Sequence, residues 1–318
     1  MSVAPAASIE KYDCRKAWAA TIEDLARQDE RIVVVVNDSL GSSNLVGFRE
    51  KFPERTVNVG IAEQNMVGVS AGLASGGRIP FVSAAACFLT ARALEQIKAD
   101  IAYGGFNVKL VGQSSGIAYG ELGATHHSIE DYTFLRAFKQ ITVIVPADPF
   151  ETEQAVKWAA EHQGPVFIRL SRMPVPMLDA IDKDFVPGKA RRIRDGKDVT
   201  VIANGTTVHL AAAAADALQS EGISVRVLDM HTLTPLDEDA VNAAARQTGA
   251  IVTVEEALVT GGLGGAVAEL TSANKPVPVE RVGFNGFQPT GSISYLFEQA
   301  GISPAGISAA ARRAISRK

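Results

Sequence analysis

Short runs rich in valine and isoleucine recur along the chain: Ile32 to Val36, Thr56 to Val59, Ile79 to Ser83, Val108 to Gly112, Ile141 to Val145 and Val166 to Leu170. Most are apolar at consecutive positions, which requires cover on both faces of the strand. Between them lie alanine-rich segments with apolar residues at helical spacing, such as Ala17, Ile22 and Leu25, or Leu94, Ile97 and Ile101. Strands covered on both sides and separated by helices predict a parallel, doubly wound α/β domain.

After Leu170 the pattern breaks into Ser171-Arg172-Met173-Pro174-Val175-Pro176 and then a charged, apolar-poor stretch, so residues 172–197 are expected to be a linker. Alternation restarts with strands expected at Val199 to Ala203, Val225 to Leu228, Ile251 to Val254 and Val277 to Val282. The expected fold class is therefore α/β with two doubly wound domains, a larger one over residues 1–171 and a smaller one over 198–318. The two halves share no sequence period, so no internal repeat is expected.

Composition changes this picture little. Of the 318 residues 47% are hydrophobic and 21% charged, and 31 basic against 35 acidic residues leave a formal charge of -4. That balance suggests no nucleic-acid footprint, while small anionic substrates need only a few placed bases. The longest uncharged run, Val199 to Ala215, contains Asn204, Gly205 and His209 and is too polar and short to span a bilayer. Met1 to Glu10 has neither a basic nor a long apolar segment, so no leader is expected and the cytoplasm is the expected compartment. Cys14 and Cys87 stand far apart without metal-ligand or redox spacing and are read as plain thiols.

Five places invite chemistry. In Val57-Asn58-Val59-Gly60-Ile61-Ala62-Glu63 a strand ends in glycine and a helix begins at once, which puts Glu63 at the carboxyl edge of a parallel sheet, where open α/β sheets bind ligands. An acid there also serves simply to complement the helix dipole. The stretch Gly112 to Ser128 is a loop of about sixteen residues ending in His126-His127, and loops that long are usually functional or disordered. Adjacent histidines point apart and no third ligand is evident, so no metal is expected and His126 reads as an acid-base or hydrogen-bonding group, or else as a solvated loop residue. The turn Asn37 to Asn44 offers hydroxyls and backbone N–H groups that suit a phosphate as well as a helix cap. Arg172, just past the last strand of the first domain, suits a phosphate clamp or a solvated linker charge. Lastly, Glu255-Glu256 and Gly261-Gly262-Leu263-Gly264-Gly265 match neither a P-loop nor a dinucleotide fingerprint, which favours tight helix-to-strand packing.

The order and spacing of several motifs resemble the C-terminal half of transketolase over nearly the whole chain. They are Gly60-Ile61-Ala62-Glu63-Gln64-Asn65, Pro80-Phe81-Val82-Ser83 running into Phe88 and Arg92, Gly120-Glu121 with Gly123-Ala124-Thr125-His126, and Leu170-Ser171-Arg172, followed by Met230 to Asp237 and Val254-Glu255-Glu256 with the glycine run. The resemblance implies a pyrimidine-binding domain followed by a C-terminal domain, and a thiamine diphosphate-dependent transfer of two-carbon ketol units between sugar phosphates. It gives Glu63 the hydrogen bond to N1′ of the aminopyrimidine, which favours the tautomer whose 4′ nitrogen takes up a proton. It places Phe88 against the pyrimidine ring with Ile61 also in the cofactor site, His126 near the transferred ketol group, and Arg15, Ser43 and Arg172 on the sugar phosphate.

The same resemblance implies half a site. The family holds the diphosphate and its magnesium through an N-terminal domain with a Gly-Asp-Gly run, a run this sequence lacks, so a separate N-terminal subunit in an α2β2 heterotetramer is the expected partner. Ser114 stands where the family has a phosphate-contacting histidine and Leu122 where it has an acid that contacts substrate hydroxyls, which points to a non-standard sugar. Ala85 and Ala91 replace further aromatics, leaving Phe88 to stack alone. The rival readings are the β subunit of a 2-oxo acid dehydrogenase first component, a deoxyxylulose-phosphate-synthase-like enzyme and, from another class, a flavodoxin-like binding module.

Overall fold

The computed structural model of the chain describes residues 10–318, so the expectation about a leader at Met1 to Glu10 concerns residues almost wholly outside it. Strands β1 (Ile32–Val36), β2 (Thr56–Asn58), β3 (Ile79–Ala85), β4 (Lys109–Gln113), β5 (Thr142–Ile144) and β6 (Val166–Arg169) form where the valine- and isoleucine-rich runs predict them. Helices α1 (Cys14–Gln28), α2 (Val46–Lys51), α3 (Glu63–Ser75), α4 (Leu94–Gln96), α5 (Asp131–Arg136) and α6 (Pro149–Glu161) cover the sheet. The N-caps follow the sequence: Asp13 accepts from the Arg15 amide at the start of α1, and Asp148 from the Glu151 amide at the start of α6, each satisfying an otherwise orphaned N–H. Around α4 the backbone widens into π-helical turns at Phe88–Arg92 and Ile97–Tyr103, a geometry that concentrates at functional sites.

The second sheet is built from β7 (Arg191–Arg194), β8 (Val199–Ala203), β9 (Val225–Asp229), β11 (Ile251–Leu258) and β12 (Val279–Phe284), while β10 (Thr232–Thr234) lies elsewhere. It is flanked by α7 (Val208–Gln219), α8 (Glu238–Gln247), α9 (Leu263–Asn274), α10 (Ile293–Gln299) and α11 (Pro304–Ile315). Its order is β12-β11-β8-β9-β7, parallel except for β7, which runs antiparallel to β9. In the first sheet the order is β10-β5-β6-β4-β3-β1-β2, parallel except for β10, which pairs antiparallel with β5. The winding direction reverses at β1, between β2 and β3, which opens a crevice at the carboxyl ends of β1 and β3.

The stretch expected as a linker, 172–197, is thus partly structured. Arg191-Arg192-Ile193-Arg194 alternates with a period of two, turning Arg191 and Ile193 inward, and Arg191 stays charged inside because it pairs with Glu151 of α6. Val175 also forms a backbone bridge to Tyr12. One hydrophobic cluster runs through both halves, joining Val82, Leu110 and Tyr132 to Ile202, Leu228 and Leu263. Among the described residues no helix is long and apolar enough to cross a membrane.

Candidate functional site

The site grows from the turn after β2. Gly60 takes a φ of +73°, open to glycine, and its amide donates to Asn58 Oδ1 at 3.0 Å, so the chain reverses and α3 starts at Glu63. The Glu63 side chain is 1% exposed. Asn37, at the end of β1, donates from Nδ2 to Oε1 at 2.7 Å, and Arg92, in the π-helical turn, donates to Oε2 at 2.8 Å. Burial pushes this carboxyl up, but the bonds from Arg92, from its own backbone N–H at the helix start and from Asn37 outweigh it and hold Glu63 below the usual carboxylate range. Helix-dipole complementation is therefore only part of its environment. The neighbouring Asn37 Oδ1 is buried without a partner.

A continuous row of side chains leads away from Glu63. The Arg92 guanidinium lies 4.5 Å over the Phe88 ring, Phe88 meets His126 edge-on at 5.2 Å, His126 meets Tyr119 edge-on at 5.8 Å, and the Arg172 guanidinium lies 4.9 Å over Tyr119. Residues 25 to 109 positions from Glu63 in sequence thus form one wall. His126 Nδ1 bonds the Thr125 hydroxyl at 3.0 Å, while His127 turns inward towards the Gly120 carbonyl, so the two imidazoles do diverge. Beside Arg172 a cleft of about 490 Å³ is lined by Tyr119, Leu122, Ser292 and Ser294, with Leu122 exposed.

The remaining sequence candidates fall around this wall with different commitments. Arg15 directs Nε and Nη2 to Asp13 and gives Nη1 to the Ser42 carbonyl at 3.1 Å, which sets it against the Asn37 to Asn44 turn. Ser43 is fully buried in that turn, its amide bonded to the Ser39 carbonyl. Ser114 follows β4 at φ +52°, buried, with its hydroxyl unpaired. Ile61 is 79% exposed, an apolar side chain two residues before Glu63. Among the described residues no group of three or more His, Cys, Asp or Glu side chains is arranged to hold a metal.

In the sequence Arg92 stands within a motif with no role of its own, and nothing there marks Asn37 as a partner of Glu63 or Tyr119 as a link between His126 and Arg172. The only signal for Arg92 was a lone cation in an otherwise uncharged Ala84 to Leu94 stretch. The packing reading of the glycine run holds in a specific form: Glu255 accepts from the Leu263 and Gly264 amides at 2.8 Å each and from the Tyr132 hydroxyl at 2.8 Å, and a Cβ on Gly262 would overlap its carboxylate.

The chain matches two family models in succession, "Transketolase, pyrimidine binding domain" over residues 10–177 and "Transketolase, C-terminal domain" over residues 188–307. It is 47% identical over 271 residues to one subunit of the apulose-4-phosphate transketolase of Phocaeicola vulgatus, covering 85% of this chain and 86% of that protein. To the 6-deoxy-6-sulfo-D-fructose transketolase subunit SqwH of Clostridium sp. it is 40% identical over 311 residues, 98% of this chain and 97% of that one. A solved structure described as a split gene transketolase, inactive beta4 tetramer, superposes with a TM-score of 0.88 at 41% identity, covering 97% of this chain and all of that chain. With both models matched in order and relatives aligned nearly end to end, the chain belongs to the transketolase family, of which it carries the pyrimidine-binding and C-terminal domains.

Proposed function

We propose that this transketolase chain binds thiamine diphosphate together with a separate diphosphate-binding partner and transfers a two-carbon ketol unit between anionic, non-standard sugars. The observation that carries the reading is Glu63: a carboxylate buried at the point where the sheet reverses, held by side chains, and adjoining an exposed isoleucine and a half-buried aromatic ring. An aminopyrimidine asks for these groups, an acid for a ring nitrogen and flat apolar surface for its faces, and the unpartnered Asn37 Oδ1 adds a buried acceptor. Thiamine diphosphate, when bound, supplies the acyl-anion chemistry that ketol transfer needs.

The chain's own residues supply the surroundings. Glu63 exchanges a proton with a ring nitrogen of the cofactor through a carboxyl oxygen that keeps a lone pair beyond its Asn37 or Arg92 bond. Arg92 favours the ionised carboxyl, so in that exchange Glu63 would take up the proton from the ring nitrogen and return it, and Phe88 would keep water from the ring face. His126, fixed between Phe88 and Tyr119, hydrogen-bonds the ketol oxygens. Arg172 and Arg15 take the charged end of the sugar, the fully buried Ser43 contributing through the turn whose Ser42 carbonyl holds Arg15, and Leu122 leaves one hydroxyl of a standard sugar without an acid partner. The relatives named for apulose-4-phosphate and for 6-deoxy-6-sulfo-D-fructose support a branched or sulfonated substrate of this kind. Magnesium is held by the partner chain, the assembly is α2β2 and the compartment is the cytoplasm.

The test mixes the purified chain with the candidate partner, thiamine diphosphate and magnesium, and follows two-carbon transfer across a panel of linear, branched and sulfonated sugars. Turnover by the mixture alone, with the standard xylulose 5-phosphate and ribose 5-phosphate pair not preferred, is expected. Tight cofactor binding by the isolated chain in calorimetry, or no transfer with any sugar, overturns the reading.

A further inference from the structure

The loop from Gln113 to Ser128 carries Ser114, Tyr119, Leu122 and His126, and its support comes from both domains: its own holds Ser115 through the Leu170 carbonyl and Ser128 through Arg169, while the second domain holds Ile117 and Gly120. Its two ends are joined by paired bonds between Gly116 and Ser128, with N···O distances of 3.0 and 2.7 Å. Directly behind that junction stands Glu256 of β11, in the second domain and fully buried. Its Oε1 accepts from the Ile117 amide at 2.9 Å, its Oε2 from the Thr206 hydroxyl, and its backbone carbonyl from Arg169 at 3.0 Å. Arg169 also donates to the Ser128 carbonyl at 3.0 Å and to both oxygens of Asp131 at 2.9 Å, and Asp131 accepts from the Ser128 hydroxyl. A Cβ on Gly116 would occupy the space of the Glu256 carboxylate, so the glycine makes room for this contact. Farther along, the Gly291 amide of the second domain donates to the Gly120 carbonyl at 3.0 Å.

We infer that Glu256 is a positioning residue for the substrate loop: through the Ile117 amide it sets where Tyr119 and His126 stand, and so gives the second domain a direct part in sugar recognition. This rests on the reading of that loop as the sugar-binding element. A buried acceptor aimed at one backbone N–H fixes the loop's register more tightly than apolar packing would, because a shift of the loop leaves both Oε1 of Glu256 and the Ile117 amide unpaired. Glu255, next in sequence and equally buried, has its bonds on α9 and Tyr132 and reaches no residue of the loop.

The experiment uses the reconstituted two-chain enzyme with the best sugar phosphate of the panel as substrate. Glu256→Ala is expected to raise KM for the sugar roughly 10-fold or more, the scale that a small misplacement of binding groups costs, with kcat per folded molecule changed less. Glu256→Gln is expected to restore KM, since the amide still accepts from Ile117 and donates to the Thr206 oxygen. Glu255→Gln is expected to lower the melting temperature with KM unchanged. Should Glu256→Ala not fold, Thr206→Val removes the hydroxyl that orients the carboxylate and should move KM in the same direction by roughly 3-fold. An unchanged KM in Glu256→Ala or Thr206→Val, or an equal rise in Glu255→Gln, overturns the inference. An unmodified complex that turns over no sugar on the panel instead overturns the reading of the loop on which it depends.

Discussion

Glu63 and Glu255 both stand towards the carboxyl end of a parallel sheet beside a helix start, Glu63 as the first residue of α3 and Glu255 within β11 facing the start of α9, and both side chains are exposed by 1% or less. Side-chain exposure does not tell them apart. Their donors do. Glu255 is closed by two backbone amides of α9 and the buried Tyr132 hydroxyl, so its carboxylate completes a helix start. Glu63 is held by Asn37 and by Arg92, whose side chain is 47% exposed and stacked on the Phe88 ring. A carboxylate held by the fold's own amides serves the fold, whereas one held by movable side chains beside an uncovered apolar surface is ready for a ligand. Their acidities diverge accordingly. Burial raises Glu255 despite its donors, while Glu63 lies less deep and the bonds from Arg92, from its own backbone N–H and from Asn37 overcome the desolvation.

Matched substitutions sharpen the contrast. Glu63→Gln keeps the size of the side chain and removes its proton equilibrium, so transfer by the reconstituted enzyme should fall ~10²- to 10⁴-fold with little change in melting temperature. If the rate falls only as far as the folded fraction does, Glu63 is a structural acid and the contrast is lost. Glu255→Gln should do the reverse, costing about 1–3 kcal/mol in urea unfolding because one donor loses its charged acceptor, with kcat intact. A large loss of kcat there would place Glu255 in the chemistry. Leu122→Asp, at the rim of the site, should improve use of the standard sugar pair by roughly 5-fold or more, the equivalent of one restored buried hydrogen bond. No gain would mean that the altered sugar preference does not arise at Leu122.

The smallest effect is a difference in pH dependence. With its folded value depressed, Glu63 contributes stability that is present above the unfolded carboxylate range and lost as pH falls through the folded value. Glu255, raised when folded, binds its proton more tightly in the native state, so its contribution is present below the unfolded value and lost as pH rises through the folded one. Chemical unfolding of the two glutamine variants between acid and neutral pH should therefore diverge from the parent in opposite directions. Parallel curves would show that the two acids titrate alike.

Much of the fold was legible because the signal was local. Six valine- and isoleucine-rich runs became the six strands of the first domain, and the Gly60 to Asn65 motif lies where a strand gives way to a helix. What escaped depends on partners distant in sequence. Arg191–Arg194 looks like a charged linker until its register with β9 turns Arg191 towards Glu151. Thr232–Thr234 is only three residues long and lies inside a motif with no strand signature. The site follows the same rule: Glu63 and His126 stand in recognisable motifs, whereas Asn37 and Arg92 acquire meaning only when the sheet brings them within 2.8 Å of Glu63.

The pairing of β10 with β5 bears on how the chain can be divided. The expected boundary between the domains lies well before β10, yet the strand returns across it to finish the first sheet, with Thr232 opposite Ile144. A fragment ending near residue 171 would keep every group of the Glu63 wall except Arg172, but would uncover the outer side of β5 as a row of unpaired amides and carbonyls, a template for self-association. Recombination or truncation that parts the two domains thus strips the first sheet of its border, and engineered exchanges between relatives should carry residues 232–234 along with the sheet they complete.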